Sequence, residues 1–359
     1  MKSYMTIGMK HDRAVRFCQP FRVFVFLPLY LFAFLPLLSG CSMIDEDQSD
    51  CGVMVEINYE LQLVTNLTTE LRTQLDTDTD TRMLVALRDH LKTIFTDFAH
   101  DMDLSFYDVV GDSTRLRHEN HIVDANQVTY TLLLPKRDYM HLALANLVDN
   151  HLVSLFNDDF CHPSKLLQVV ADTIDSHDTG LFSARLPMRV LDGVNQNFNV
   201  RLYMANCAVC LVINTHGHDA SQVRVYSTGF ATDFNICDSV FRYSKRPPVV
   251  RTKMLNPGDG RVAFCSVNFP SPDPSVPQPD NESLWEFRVY APQQNITTTR
   301  AGIHLTETIL HVNEPIEAGH VKIIQCDMNE DGSVTTDAPE VGVSVTLDWK
   351  EGNTYNPEI

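Results

Sequence analysis

Val53-Met-Val-Glu-Ile-Asn-Tyr-Glu-Leu-Gln-Leu63 places an apolar side chain at every second position. Val53, Val55, Ile57, Tyr59, Leu61 and Leu63 fall on one side, and Glu56, Asn58, Glu60 and Gln62 on the other. A period of two is that of a strand with one buried face, because successive Cβ atoms point to opposite faces of a sheet. The alternation returns at Val128, Tyr130, Leu132 and Leu134, at Val200, Leu202 and Met204, and at Trp285, Phe287 and Val289. It recurs near the end of the sequence at Val343, Val345, Leu347 and Trp349. Loops rich in Gly, Asp, Asn and Pro separate these runs, so the pattern predicts a mainly β protein built of antiparallel sandwiches.

One segment departs from this period. Leu84, Leu87, Leu91, Ile94, Phe95 and Phe98 recur at helical spacing and form a single apolar stripe. Thr79, Asp80 or Thr81 can cap its start. The reading is one amphipathic helix laid on the first sheet. The Asp-rich stretch Asp172 to Gly180 is the candidate boundary, giving an N-terminal domain over 51–175 and a C-terminal domain over 176–359. The proline run from Pro270 to Pro279 excludes a central strand, since proline donates no ladder hydrogen bond.

The beginning of the chain carries different information. Residues 1–22 hold five basic residues and one acid, and residues 23–38 hold no charge. That is a secretory leader rather than a spanning helix, which needs about 20 apolar residues. Pro28 and Pro36 also interrupt this run. Leu38-Ser39-Gly40-Cys41 follows at once and resembles the lipobox of bacterial lipoproteins. The resemblance implies cleavage after residue 40, a diacylglycerol on the Cys41 thiol and palmitate-type acyl chains. Each buried CH₂ contributes about 0.8 kcal/mol, so two or three chains anchor durably. Asp45, Glu46 and Asp47 come next, in a tether over 41–50. This cluster resembles the surface-export signal of Bacteroidetes lipoproteins.

Residues 1–40 contribute a net +4, so their removal takes the chain from −18 to −22. So acidic a protein is repelled by phosphate backbones, which argues against nucleic acid as a partner. Seven cysteines remain after Cys41: Cys51, Cys161, Cys207, Cys210, Cys237, Cys265 and Cys326. Their odd number leaves at least one unpaired within the chain.

Three motifs raise the question of chemistry. Cys207-Ala-Val-Cys210 has redox spacing, but its flanks read as strand, where residues three apart face opposite ways. It reads as structural thiols or one partner of a disulfide. His216 and His218 with Asp219 offer metal ligands, yet Gly217 and the polar setting describe a loop between strands. Asp327, Asn329 and Asp331 with Gly332 match the front half of a calcium loop. Its twelfth position is Ala338 instead of Glu, so a hairpin turn is the more economical account. No nucleophile elbow, phosphate loop or dinucleotide fingerprint is present. The sequence therefore gives no enzyme, no cofactor and no metal.

Four stretches together resemble the FimB-type (FimB/Mfa) fimbrial anchor lipoproteins of Bacteroidales. They are LSGCSMIDEDQSDCG at 38–52, LRDHLKTIFTDFAHDMDLSFYDVVGD at 87–112, YTLLLPKRDYMHLALANL at 130–147, and AGHVKIIQCDMNEDGSVTTDAPEVGVSVTLDW at 318–349. The resemblance implies two transthyretin-like β-sandwich domains, a lipid anchor in the outer membrane and attachment of fimbrial shaft subunits. It implies a protein that anchors, and could terminate, a fimbria. Related subunits assemble by strand exchange, in which a donor strand completes a neighbour's sheet. The first strand is tied to Cys41 and cannot be shed without cutting the anchor, so the C-terminal segment from Val343 to Ile359 becomes the expected contact. The alternative reading is a glycan- or host-ligand-binding sandwich, which exposed aromatic platforms would favour.

Overall fold

The computed structural model describes residues 53–64, 67–75, 81–95, 99–110, 113–122, 129–148, 150–157, 159–193, 196–275, 283–293 and 304–349. Leu38, Ser39, Gly40, Cys41, Asp45, Glu46, Asp47 and Cys51 lie outside them, as do residues 350–359. The fold is mainly β, with four sheets and two helices among the described residues.

The opening alternation becomes the Met54–Val64 strand, with Val55, Ile57, Tyr59 and Leu61 buried and the intervening positions exposed. It belongs to a seven-stranded sheet in the order Arg115–Ile122, Asp101–Asp108, Asp138–Ala145, Phe182–Arg189, Gln196–Met204, Met54–Val64 and Thr129–Pro135. The expected helix spans Thr81–Ile94 and buries Met83, Leu87, Leu91 and Ile94. A second, shorter helix, Leu67–Gln74, was not legible in the pattern. Its polar composition carries too few apolar positions, and among the described side chains Leu71 and the following Leu75 secure it to the core.

Both helices pack in one core with the inner face of this sheet and with one face of a second. The second sheet runs Lys253–Leu255, Arg261–Asn268, Cys207–Asn214, Val321–Met328 and Val334–Thr335. Along its central strand, Ala208, Cys210 and Val212 enter the core shared with the helices. The alternate residues Cys207, Val209, Leu211 and Ile213 enter the core of the C-terminal sandwich. Burial on both faces is why CAVCLVI reads as a continuous apolar run instead of alternating. The opposing six-stranded sheet runs Val341–Trp349, Leu305–Val312, Trp285–Pro292, Arg224–Thr228, Val249–Arg251 and Thr173–Asp175.

Antiparallel ladders dominate, but three are parallel among the described residues. Met54–Val64 pairs in parallel with Gln196–Met204, Cys207–Asn214 with Val321–Met328, and Val249–Arg251 with Thr173–Asp175. In each case the partners are far apart in sequence, as a parallel crossover requires.

The stretch read as a boundary is woven into the fold. Thr173–Asp175 joins the six-stranded sheet, and His177 N–H donates to Val267 O. Gly180 N–H donates to Ile94 O, and a Cβ at Gly180 would lie 2.8 Å from that oxygen. The seven-stranded sheet also draws Phe182–Arg189 and Gln196–Met204 from beyond residue 176. A small four-stranded sheet, Val240–Arg242, Asp233–Asn235, Lys165–Gln168 and Val153–Phe156, combines segments from either side. A Cys161–Cys237 disulfide, with Cα atoms 5.8 Å apart, ties it together.

Candidate assembly surface

A strand can offer a binding surface only where its hydrogen-bonding edge or its apolar face is unfilled. The first strand has a neighbour on both edges and a buried apolar face. Ile57 to Val64 pair with Gln196 to Tyr203, and Met54 to Glu60 pair with Pro135 to Thr129. On its buried face the Tyr59 hydroxyl meets His141 Nε2 at 2.9 Å. His141 Nδ1 lies 3.0 Å from Ser105 O, an acceptor only, so Nδ1 carries the proton. Nε2 therefore accepts and Tyr59 donates. The His141 ring stacks on Phe106 at 4.3 Å between centroids, and burial pulls its pKa down to about 4. Burial also raises the Tyr59 hydroxyl well above its ordinary range.

The last strand is different. Val341–Trp349 is an edge, paired with Leu305–Val312 and ending its sheet. Val343 stands opposite Leu310, and Val345 opposite Thr308. Leu310 and Thr308 are fully buried, yet Val343 is 39%, Val345 45% and Leu347 54% exposed. Directly opposed residues share a face, so Val343 and Val345 point to the core side of their sheet without being covered. The strand runs past the layer beneath it.

That lower layer stops short at the same side. Val321–Met328 meets its outer neighbour only at Asp327 and Met328. Along the rest of that edge, side chains stand in for a missing strand. Gln74 Nε2 donates to Val321 O, and Ile323 N–H donates to Gln74 Oε1 at 2.7 Å. In a parallel ladder one residue bonds the carbonyl before, and the amide after, the residue it faces. The Gln74 amide does the same opposite Lys322. Thr336 Oγ1 donates to Gln325 O at 2.7 Å. The two edges are joined by Lys322, whose Nζ lies 2.7 Å from Glu340 Oε1, just before the last strand. Lys322 also pairs with Glu314. Sequence inspection could not find the Gln74 contact, because a glutamine at a helix end carries no signature of the sheet it meets.

The motifs weighed for chemistry each make contacts within the fold. His216 Nε2 lies 2.7 Å from Asp327 Oδ1, which also accepts from Asn214 Nδ2 at 3.0 Å. Two motifs read separately are thus brought together at the end of paired strands. His218 holds its loop through its backbone N–H to Thr215 O. Asp331 Oδ1 accepts instead from Ser333, from its N–H at 2.9 Å and its hydroxyl at 2.6 Å. These bonds hold the Asp331 pKa below the usual carboxylate range. The run is a hairpin between Val321–Met328 and Val334–Thr335, with Gly332 at φ 79°. Cys207 and Cys210 face opposite cores, as a strand demands. Among the described residues His162, Cys237 and Asp238 cluster with metal-ligand spacing, but Cys237 is held in the disulfide. Trp285 is buried and donates Nε1–H to Glu314 O, so it presents no stacking platform. The side chain of Trp349 lies outside the described residues.

Neither a family model nor a curated protein matches this sequence. Among solved structures, a candidate adhesin from Bacteroides ovatus is similar over 84% of this chain and 97% of its own, at 10% identity and a TM-score of 0.50. The fimbrial anchor protein Mfa2 from Porphyromonas gingivalis is similar over 82% and 99%, at 9% identity and a TM-score of 0.45. The tip fimbrial protein Mfa3 from the same organism, truncated at its C terminus, matches over 82% and 100%, at 11% identity and a TM-score of 0.40. The structural neighbours thus include fimbrial proteins of the kind the sequence resembles. The B. ovatus likeness establishes a shared fold and, at 10% identity, nothing about shared residues.

Proposed function

We propose that this chain is a cell-surface fimbrial or adhesin-type lipoprotein, held in the outer membrane by acyl chains on Cys41. In this reading it is not an enzyme. It anchors a fimbria by offering the edge of Val341–Trp349 to a shaft subunit. The observation that carries the reading is an apolar, core-side face on an edge strand, left uncovered at Val343 and Val345. An added strand would gain backbone hydrogen bonds along the edge and bury that face, the physical basis of strand addition. The sequence resemblance to fimbrial anchors supports the same reading, as does the fold shared with a candidate adhesin. The double pairing of Met54–Val64 supports a first strand that stays in place, consistent with a tether leading to Cys41.

The test is to purify the protein from outer membranes and identify what accompanies it. A ladder of one repeating subunit is expected with the native chain and lost with a Val343→Lys/Val345→Lys variant that still folds. Attachment that survives both this variant and deletion of residues 350–359 would refute the contact. Cys41→Ser should move the protein out of the membrane fraction, whichever surface binds the shaft.

A further inference from the structure

Cys210 and Cys265 stand directly opposite each other on Cys207–Asn214 and Arg261–Asn268. Their Sγ atoms are 2.8 Å apart, and both residues are fully buried. Ala208 N–H donates to His320 O, on the side of the parallel neighbour. Peptide groups alternate sides along a strand, so those of Cys210 turn the same way. Cys210 and Cys265 therefore exchange no backbone hydrogen bonds. This is the class of antiparallel pair with Cα atoms about 4.5 Å apart and the closest side chains. That spacing falls within the range disulfides span, roughly 4.4–6.8 Å. We infer that Cys210 and Cys265 form a second disulfide of the mature protein, beside Cys161–Cys237.

No other described cysteine competes for either sulfur. Cys207 and Cys326 face the opposite core. Cys326 stands beside Ile213, at the far end of the strand that Cys207 begins. The distance between them is about 20 Å, taking about 3.3 Å per residue. The Cys161–Cys237 bond marks the chain as one that meets an oxidant. That oxidant is a disulfide of the thiol–disulfide exchange class. One cysteine thiolate attacks it and forms a mixed disulfide, and the other displaces the carrier. The Cys210–Cys265 bond forms, and the carrier leaves as a dithiol holding the two electrons and, relayed through water, the two thiol protons. Both sulfurs lie in the core shared by the helices and two sheets, so exchange precedes closure of that core. The bond then fastens the middle strand of the sheet on which both cores rest to its antiparallel neighbour.

The test uses the full-length exported protein without mutation. It is denatured in iodoacetamide without reductant, digested and mapped by mass spectrometry. The expected result is a linked pair of peptides containing Cys210 and Cys265, with Cys207 and Cys326 alkylated. Alkylation of Cys210 and Cys265, or linkage of either to a third cysteine, would overturn the inference.

Discussion

The first and last strands of the described chain carry the same alternation and meet opposite fates. Met54–Val64 is paired on both sides, and its inward Ile57 and Tyr59 are fully buried. Val341–Trp349 is paired on one side, and its inward Val343 and Val345 stay open. Period-two patterning therefore specifies a strand with an apolar face, but not what covers that face. Coverage is decided by the layer packed opposite: the helices and the Cys207–Asn214 sheet for the first strand, and a layer that ends early for the last.

The largest expected contrast lies in stability. Tyr59→Ala removes a buried ring and leaves His141 Nε2 without its donor, which should cost about 3–5 kcal/mol. Val345→Ala on the open strand should cost less than about 1 kcal/mol. Urea unfolding of both variants measures the difference. Equal losses would break the comparison.

Acid should act on the covered regions next. His141 and His177 are buried and held neutral, each with a pKa lowered by desolvation to about 4 from 6.5. The unfolded chain takes up these protons first as pH falls, so the stabilisation is complete above about pH 6.5 and is lost towards pH 4. At 1.36 kcal/mol per unit, each imidazole removes about 3 kcal/mol across that window. Urea midpoints at pH 7 and pH 4.5 check this, and His141→Gln should flatten part of the slope.

A smaller effect is expected at the end of Arg224–Thr228, within the same sheet as the open strand. Gly229 has φ 103°, and a Cβ there would come within 2.6 Å of Trp285 Cα. Gly229→Ala should cost about 2 kcal/mol, by strain and by displacement of the Trp285–Pro292 strand. The smallest stability change belongs to Val343→Lys/Val345→Lys, within about 1 kcal/mol, because long side chains at half-exposed positions keep their charge in water. Thermal melts of both variants give the order.

Much of the fold was legible because one-faced strands and an amphipathic helix announce themselves by period. The strands at Met54 and Trp285 and the Thr81–Ile94 helix follow directly from residue spacing. The hairpin at Asp331-Gly332 followed from turn chemistry, since Gly332 takes a positive φ. The interleaving of segments around Asp172 to Gly180 was not legible, because polar composition marks a loop whether or not it separates domains. The Leu67–Gln74 helix was too short and too polar to register, although its last residue caps a sheet edge. The candidate surface was legible only in part. Val343, Val345 and Leu347 were visible as a strand face, but its exposure depends on where Val334–Thr335 ends.

Hydrogen exchange, read with and without the shaft subunit that co-purifies, tests the central contrast most directly. The account predicts that Met54–Val64 amides are protected in the free protein and unchanged on binding, while the Val341–Trp349 amides on the open edge, away from Leu305–Val312, exchange readily and become protected in the complex. Protection gained at Met54–Val64, with none at Val341–Trp349, would contradict it.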